Sequence, residues 1–197
     1  MIEHMQDLVL DEKHVYRYRG RAVPGVTTIM RPLYAAAYAG MPKERTAEAL
    51  ARGTAVHQCV EAYELGMLHP DGYSGQLRAW ASFRRDFGLS HAPLAVEMRL
   101  YSPTWWYAGT PDVVFDGVVI DIKSSDTPCP ITAVQTVAYA DLLREAGVSV
   151  QKRYGVALRA DGTYEARLYC DDRGDRNTFR SLLAIHRFIE NKLGGVK

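Results

Sequence analysis

The spacing of hydrophobic and polar positions changes near residue 90. Before that point, apolar residues recur at helical spacing and predict three helices, at about 26–30, 42–66 with an interruption at Gly53, and 75–87. After it, shorter strand-like runs predict strands at 94–101, 105–115, 118–124, 154–159 and 163–169, with helices at 131–145 and 176–192. A small hairpin is expected ahead of them, over residues 8–18.

This order of elements predicts an α/β fold with a central mixed β-sheet flanked by helices. The 197 residues suit one domain, and no stretch is long or polar enough to separate two. We therefore expect a single domain over 1–197, with a helical N-terminal part at about 26–90. The sheet, at about 94–170, carries the candidate catalytic residues.

Composition narrows the class of protein. No apolar run approaches the roughly 18 residues of a membrane span, and the N-terminus lacks a signal-peptide pattern, so we expect a cytoplasmic protein with no membrane partner. The three cysteines, Cys59, Cys129 and Cys170, include no close pair, which favours free thiols over disulfides or a metal cluster.

The formal net charge of +1 excludes a bulk polycation. Any nucleic-acid surface must be local, because phosphate binding depends on clustered Lys and Arg. A solvated helix face explains each candidate patch equally well; the patches are Lys43 with Arg45 and Arg52, Arg78 with Arg84 and Arg85, and Lys152 with Arg153.

An Asp-Gly dipeptide, Asp116-Gly117, lies between two apolar strand-like runs and predicts a two-residue hairpin turn with positive φ at both positions. That register places Asp112 opposite Asp121 on one face of the sheet, with Cβ atoms about 5 Å apart. Two such carboxylates repel each other unless a cation lies between them. Mg²⁺, which prefers carboxylate oxygens, is a suitable cation.

Lys123 lies two residues beyond Asp121 and so emerges on the same face. The opposite face carries apolar residues and is expected to be core. A simpler interpretation stays open at this point: Asp112 belongs to a turn, and Asp121 forms a strand salt bridge with Lys123.

Four motifs in order resemble those of the PD-(D/E)XK nuclease superfamily, and specifically its RecB-type and phage-type exonuclease branch. They are a threonine-containing segment around Thr27 and Thr28, G-x-x-x-H from Gly53 to His57, the string Gly109-Thr110-Pro111-Asp112 followed by Asp121-Ile122-Lys123, and Q-x-x-x-Y from Gln135 to Tyr139. Together they span residues 24 to 139.

The resemblance implies a restriction-endonuclease-like core with element order αβββαβ. It assigns catalysis to Asp112, Asp121 and Lys123. One or two Mg²⁺ or Mn²⁺ ions would be held by His57, Asp112, Asp121 and the Ile122 backbone carbonyl. Glu97 would be a further metal or water partner; a surface carboxylate is the alternative interpretation of Glu97.

The remaining motif residues receive supporting roles. Gln135, Tyr139, Thr27 and Thr28 would contact DNA, and Glu61, four residues after His57 on one helix face, would orient the imidazole. A packed helix face explains Gln135 and Tyr139 as well, and an ordinary N-cap explains the threonines. The aromatic run Trp105-Trp106-Tyr107 could stack on bases or belong to the core.

The function implied is a divalent-metal-dependent DNA exonuclease acting on single-stranded or free DNA ends, in recombination, repair or phage replication, with no iron–sulfur cluster. Rival hypotheses are a site-specific or structure-specific endonuclease of the same fold, a non-catalytic nucleic-acid-binding scaffold, and a phosphoesterase for small substrates. Cleavage polarity, DNA against RNA, protein partners and oligomeric state stay open.

Overall fold

The computed structural model describes residues 7–40, 42–69 and 74–193. The strands within these residues are β1 (Leu8–Leu10), β2 (Tyr16–Tyr18), β3 (Arg21–Val23), β4 (Ala95–Val96), β5 (Leu100–Ser102), β6 (Tyr107–Gly109), β7 (Val113–Phe115), β8 (Gly117–Lys123), β9 (Val150–Leu158) and β10 (Tyr164–Tyr169). The helices are α1 (Val26–Ile29), α2 (Arg31–Ala37), α3 (Lys43–Glu64), α4 (Gly75–Asp86), α5 (Ile131–Glu145) and α6 (Asp172–Phe188), which ends in a π-helical turn, Ile189–Leu193.

Five strands form the central sheet in the order β10-β9-β8-β7-β4. Only β8 and β9 run parallel; the other neighbours are antiparallel. Helix α5 makes the crossover between the parallel pair. The succession α4, β4, β7, β8, α5, β9 follows the expected αβββαβ order, and the α/β fold with a mixed central sheet flanked by helices is confirmed.

The β7–β8 hairpin has the predicted register, with Phe115 opposite Val118 and Val113 opposite Ile120. The predicted turn geometry was wrong in one respect. Gly117 takes a positive φ of 71°, but Asp116 is not among the described residues with positive φ. One left-handed residue is thus enough to close this turn, and glycine adopts that conformation without steric cost.

Two predicted strands are each divided in the structure. The run 94–101 becomes β4 and β5, and the run 105–115 becomes β6 and β7; β5 and β6 pair with each other in a separate two-stranded sheet. The chain leaves β4 at Glu97, whose φ is +46°. Such a conformation is incompatible with a continuous strand, and alternation of side chains alone could not reveal it.

The helices also differ from expectation in places. Gly53 does not interrupt α3, which runs unbroken through it. Helix α6 begins at Asp172, four residues earlier than predicted, because the Asp171 side chain accepts a hydrogen bond from the Gly174 amide and caps the first turn. Strand β3 and helix α2 were not predicted. None of the helices within the described residues is both long and apolar enough to cross a membrane.

Both faces of the central sheet are packed. Val113, Phe115, Ile120 and Ile122 join a cluster with α3 and α4, as predicted for the apolar face of the hairpin. The opposite face, which carries Asp121 and Lys123, is also covered: its apolar positions pack against α1, α5 and α6. The candidate site therefore lies within the fold, beneath helices.

Two arginines of the candidate basic patches serve the interior. Arg153 on β9 is 1% exposed and donates to Asp172 and Asp175 of α6, each at 2.7 Å, and to the Ala133 carbonyl of α5. Arg84 pairs with the buried Glu64 carboxylate at 3.1 Å. Neither side chain is available to a DNA surface, and the Lys43 side chain lies outside the described ones.

Replacing Arg153 with methionine is expected to lower the free energy of unfolding by about 2 kcal/mol or more, because the largely buried Asp175 carboxylate loses its arginine partner, whereas Asp172 keeps Arg144. Arg167→Met, which removes an exposed pair with Glu165 at 3.7 Å, is the control and should cost about 0–1 kcal/mol. Urea unfolding of both variants provides the measurement. Equal midpoints for the two would show that the Arg153 network contributes no more than a surface pair.

Candidate active site

Asp112 lies immediately before β7, at the rim of the central sheet. It is 6% exposed, and its Oδ2 accepts a hydrogen bond of 2.6 Å from the Ile122 amide on β8. The loop before Asp112 is bonded to the N-terminal sheet, because the Thr110 hydroxyl of the loop and the Tyr16 hydroxyl of β2 share a hydrogen bond of 2.7 Å. These contacts fix the Asp112 carboxylate and leave Oδ1 pointing towards α3.

His57 reaches this carboxylate from α3. Its Nδ1 lies 3.5 Å from Asp112 Oδ1 and 3.5 Å from Glu97 Oε1, while its Nε2 is 3.0 Å from the Ile122 carbonyl oxygen. One ligand atom from each of His57, Glu97 and Asp112 lies within 4.8 Å of the others, so the three form a group that could hold a metal ion.

The contact with the Ile122 carbonyl orients the imidazole. When Nε2 carries the proton and donates it to that carbonyl, the lone pair of Nδ1 faces the two carboxylates. Metal-binding histidines usually show this arrangement, with the second ring nitrogen bonded to a backbone carbonyl or carboxylate. Ile122 is thereby placed beside the metal group, and its role as a direct ligand stays a prediction.

Asp121 and Lys123 form a second, adjoining pair on β8. The Lys123 ammonium lies 2.5 Å from Asp121 Oδ2 and also donates to Gln135 Oε1 of α5 at 3.2 Å. Asp121 is fully buried, and neither of its oxygens has a well-aligned hydrogen bond, so the close contact with Lys123 is mainly an electrostatic one.

Gln135 and Tyr139 of the Q-x-x-x-Y motif are buried beside Lys123 and bonded to each other, Gln135 Nε2 donating to Tyr139 Oη at 2.9 Å. Tyr139 also explains why position 109, the first of the string Gly109-Thr110-Pro111-Asp112, is a glycine, because a Cβ there would lie 2.7 Å from the Tyr139 ring. Contact of either side chain with DNA stays a prediction; in the structure they hold Lys123 and the Asp112 loop in place.

Burial and neighbouring charges shift the pKa values of His57, Asp112 and Lys123. The negative charge of Asp112 raises the pKa of His57 to about 9, and burial raises the pKa of Asp112 to about 7. Burial by itself would lower the pKa of Lys123, but the Asp121 carboxylate more than offsets it, and the pKa is raised. Lys123 is therefore a cation at neutral pH.

The residues present fit a divalent cation. A buried carboxylate without aligned hydrogen bonds is costly unless a cation neutralises it, and Lys123 contacts only one oxygen of Asp121 closely. Two further carboxylates and an oriented imidazole lie nearby. Oxygen ligands with one imidazole suit Mg²⁺ and Mn²⁺, whereas no cysteine joins this group.

For three predicted residues the proposed roles stay predictions. The ring nitrogens of His57 lie against the Ile122 carbonyl and the carboxylates of Glu97 and Asp112, and the role of Glu61 in orienting the ring stays a prediction. Thr27 and Thr28 lie inside α1, and the N-cap of that helix is Gly25, without a side-chain hydrogen bond. The N-cap interpretation of the threonines is thus wrong, and their contact with DNA stays a prediction.

Two residues of the aromatic run before the hairpin, Trp106 and Tyr107, pack against neighbouring residues, whereas Trp105 is exposed. Trp106 makes edge contacts with Tyr18 and Tyr101, and Tyr107 is buried with its hydroxyl on the Ala138 carbonyl. Trp105 lies beneath the Arg180 guanidinium.

The sequence interpretation missed Tyr34. Its hydroxyl, on the unpredicted helix α2, donates to Gln135 Oε1 at 2.9 Å, the same oxygen that accepts from Lys123. The available signal was the segment Leu33–Tyr38, in which three alanines separate two tyrosines. Alanine is the strongest helix former, and that spacing puts both rings on one helix face.

Comparisons with known proteins gave matches among solved structures only; no family model and no curated protein matches the sequence. A protein from Eubacterium rectale provisionally named an exonuclease matches with a TM-score of 0.49 and 13% identity, over 74% of this chain and 69% of that one. An alkaline exonuclease from Laribacter hongkongensis matches with a TM-score of 0.34 and 17% identity, over 76% of each chain. Its complex with dAMP gives 0.33 at the same identity and coverage.

The left-handed backbone at Glu97 yields a stability prediction. Glycine tolerates a φ of +46° and alanine does not, so Glu97→Gly should unfold with a free energy about 1 kcal/mol higher than that of Glu97→Ala. The comparison isolates the backbone, since both variants lack the carboxylate.

Glu165 on β10 provides the control pair. It has ordinary strand geometry, so Glu165→Gly should be the less stable variant there, by about 0.5–1 kcal/mol. Thermal and urea unfolding of the four variants give the result. The same order of stability at both positions would contradict a strained backbone at Glu97.

Proposed function

We propose that this chain is a divalent-metal-dependent deoxyribonuclease of the PD-(D/E)XK type, which hydrolyses phosphodiester bonds. The observation that carries the proposal is the convergence of His57, Glu97 and Asp112 on one point, with Asp112 bonded to the amide of Ile122, the residue between Asp121 and Lys123. The proposal rests on this arrangement of an acidic and imidazole group around a cationic lysine.

In this assignment His57 Nδ1, Glu97, Asp112 and Asp121 would hold one or two ions of Mg²⁺ or Mn²⁺. The bound cation would supply a water of lowered pKa and offset the negative charge of the phosphate. The Ile122 amide keeps the Asp112 carboxylate oriented, and the Ile122 carbonyl keeps the His57 ring oriented.

Lys123 is the residue placed to act on the phosphate. Its ammonium has three donors, of which Gln135 accepts one and the Asp121 carboxylate attracts another. The remaining N–H can donate to a non-bridging phosphate oxygen, where negative charge develops during attack. In the overall reaction a water oxygen bonds to phosphorus, one P–O ester bond breaks, and the departing oxygen takes up a proton.

For the substrate, we propose DNA with single-stranded or free ends, cleaved exonucleolytically. The ordered motifs of the sequence support this branch over an endonuclease, and recombination, repair and phage replication are the processes in which such an activity is used. A cytoplasmic location agrees with this assignment. The expected products are 5′-phosphate and 3′-hydroxyl ends.

Metal binding can be measured without catalysis. Mn²⁺ at a hundredfold excess over its Kd should stabilise the unmutated chain by about 2.7 kcal/mol. Asp112→Asn should lose this stabilisation, since it removes the negative charge of a carboxylate that would bind the cation. Asp116→Asn, an exposed carboxylate in the turn of the same hairpin, should keep it. Equal stabilisation of both variants by Mn²⁺ would place the ion elsewhere.

Nuclease activity is tested on end-labelled linear DNA and closed circular DNA, each single- and double-stranded, with Mg²⁺, Mn²⁺ or EDTA. We expect metal-dependent loss of linear substrates only. Asp121→Asn and Lys123→Met should each lower the rate by about 100-fold or more, the scale for removing one group that stabilises transition-state charge. Asp116→Asn should cleave at the unmutated rate.

The other outcomes separate the rival functions. Cutting of closed circles would identify an endonuclease. Binding of DNA without cleavage in either metal would favour a non-catalytic scaffold. Full activity of Asp121→Asn would contradict the assignment of the active site even if the protein is a nuclease.

A further inference from the structure

One face of α2 carries a cation and two aromatic rings. Arg31, Tyr34 and Tyr38 are spaced at i, i+3 and i+7, which places them on the same side of the helix and of its C-cap residue. Leu33 and Tyr34 are half-buried, and the other residues of α2 are exposed. We call this set the Arg31–Tyr34–Tyr38 face.

This face begins at the candidate active site. Tyr34 lies one hydrogen bond from the centre of the site, because its hydroxyl donates to Gln135 Oε1 at 2.9 Å and Lys123 donates to the same oxygen. Burial raises the pKa of Tyr34 to about 12, so the phenol stays protonated and can donate at neutral pH. The position of α2 relative to Lys123 is thereby fixed.

Tyr38 extends the face outward. Its side chain is 46% exposed, although a tyrosine ring usually buries much of its surface. The two tyrosine rings are nearly parallel, with an interplanar angle of 8° and centroids 6.3 Å apart. Exposed aromatic rings beside a phosphate-cleaving centre are the groups on which proteins stack unpaired bases.

Arg31 adds charge complementarity. Its side chain is exposed and makes no hydrogen bond or ion pair within the described part of the chain, whereas Arg84 and Arg153 are committed to the interior. Arg31 lies about 10 Å from Tyr38 along the helix axis. A strand that leaves Lys123 along α2 would therefore meet a guanidinium able to bind its phosphates.

We propose that the Arg31–Tyr34–Tyr38 face is a subsite for unpaired nucleotides of the DNA strand, in which Tyr38 stacks on a base and Arg31 contacts a phosphate. Tyr34 is a positioning residue that holds the face against Gln135. The inference rests on the proposed nuclease function and adds a specific substrate feature: the strand is single-stranded where it passes α2.

The test measures DNA binding in EDTA, so that cleavage does not enter. Anisotropy of a labelled single strand should show that Tyr38→Ala binds about fivefold to one hundredfold more weakly, the range for losing one base-stacking contact. Tyr38→Phe, which keeps the ring, should bind as the unmutated chain does. Phe188→Ala, which removes another exposed aromatic residue on a helix outside the site, should have no effect.

A substrate series identifies the stacked base. Abasic positions are introduced one at a time along the strand, and one of them should weaken binding by the unmutated chain but not binding by Tyr38→Ala. Arg31→Gln should lower the salt dependence of binding by about 0.7 in the log–log slope, as expected for one phosphate contact to a single strand.

Three outcomes would overturn the subsite. Tyr38→Ala could bind single-stranded DNA as tightly as the unmutated chain does, or the unmutated chain could show no binding of single-stranded DNA. In the third outcome, Tyr38→Ala loses the same factor in affinity for every abasic strand and for blunt duplex DNA. The nuclease proposal is judged separately, by cleavage and its dependence on Asp121. Suppose that Asp121→Asn loses cleavage while Tyr38→Ala binds DNA normally. The nuclease proposal would then stand, and the subsite proposal would be wrong.

Discussion

The Asp121 carboxylate is fully buried in the centre of the sheet, and a charge in that position is tolerated only with an opposite charge against it. Lys123 provides part of that charge from the same strand, at 2.5 Å. Other charged groups lie close to this pair. Asp112, which is bonded to the Ile122 amide, forms with His57 and Glu97 a group that could hold a divalent cation.

The elements around this pair are arranged so that each motif supports the next. The hairpin register brings Asp112 to the Ile122 amide, and the Ile122 carbonyl then orients His57 from α3. On the other side, Gln135 receives the Lys123 ammonium, and Tyr139 packs against the only residue type that leaves room for its ring, Gly109. Motifs far apart in sequence thus become one connected network.

Some charged residues stabilise the fold, whereas Glu97 of the candidate site has a backbone conformation that destabilises it. Arg153 and its acidic partners join β9 to α5 and α6 and lie in the interior, where a missing partner is costly. Glu97 shows the opposite case, since its left-handed backbone costs free energy and also turns the chain so that its carboxylate faces His57. Strain at a residue of the site suggests that its position matters more than its local stability.

The sequence by itself determined the α/β class, the β7–β8 register and the identity of Asp112, Asp121 and Lys123 as neighbours, because side-chain alternation and turn chemistry act over a few residues. It also singled out His57 and Glu97 as candidate partners of that set. Only the tertiary structure decided which partners meet. The split of the strands at Glu97, the contact of His57 with the Ile122 carbonyl, and the placement of Tyr34 on Gln135 depend on contacts between residues up to 101 positions apart. Local patterns carry no information about such contacts, because the residues that make them are distant in the sequence.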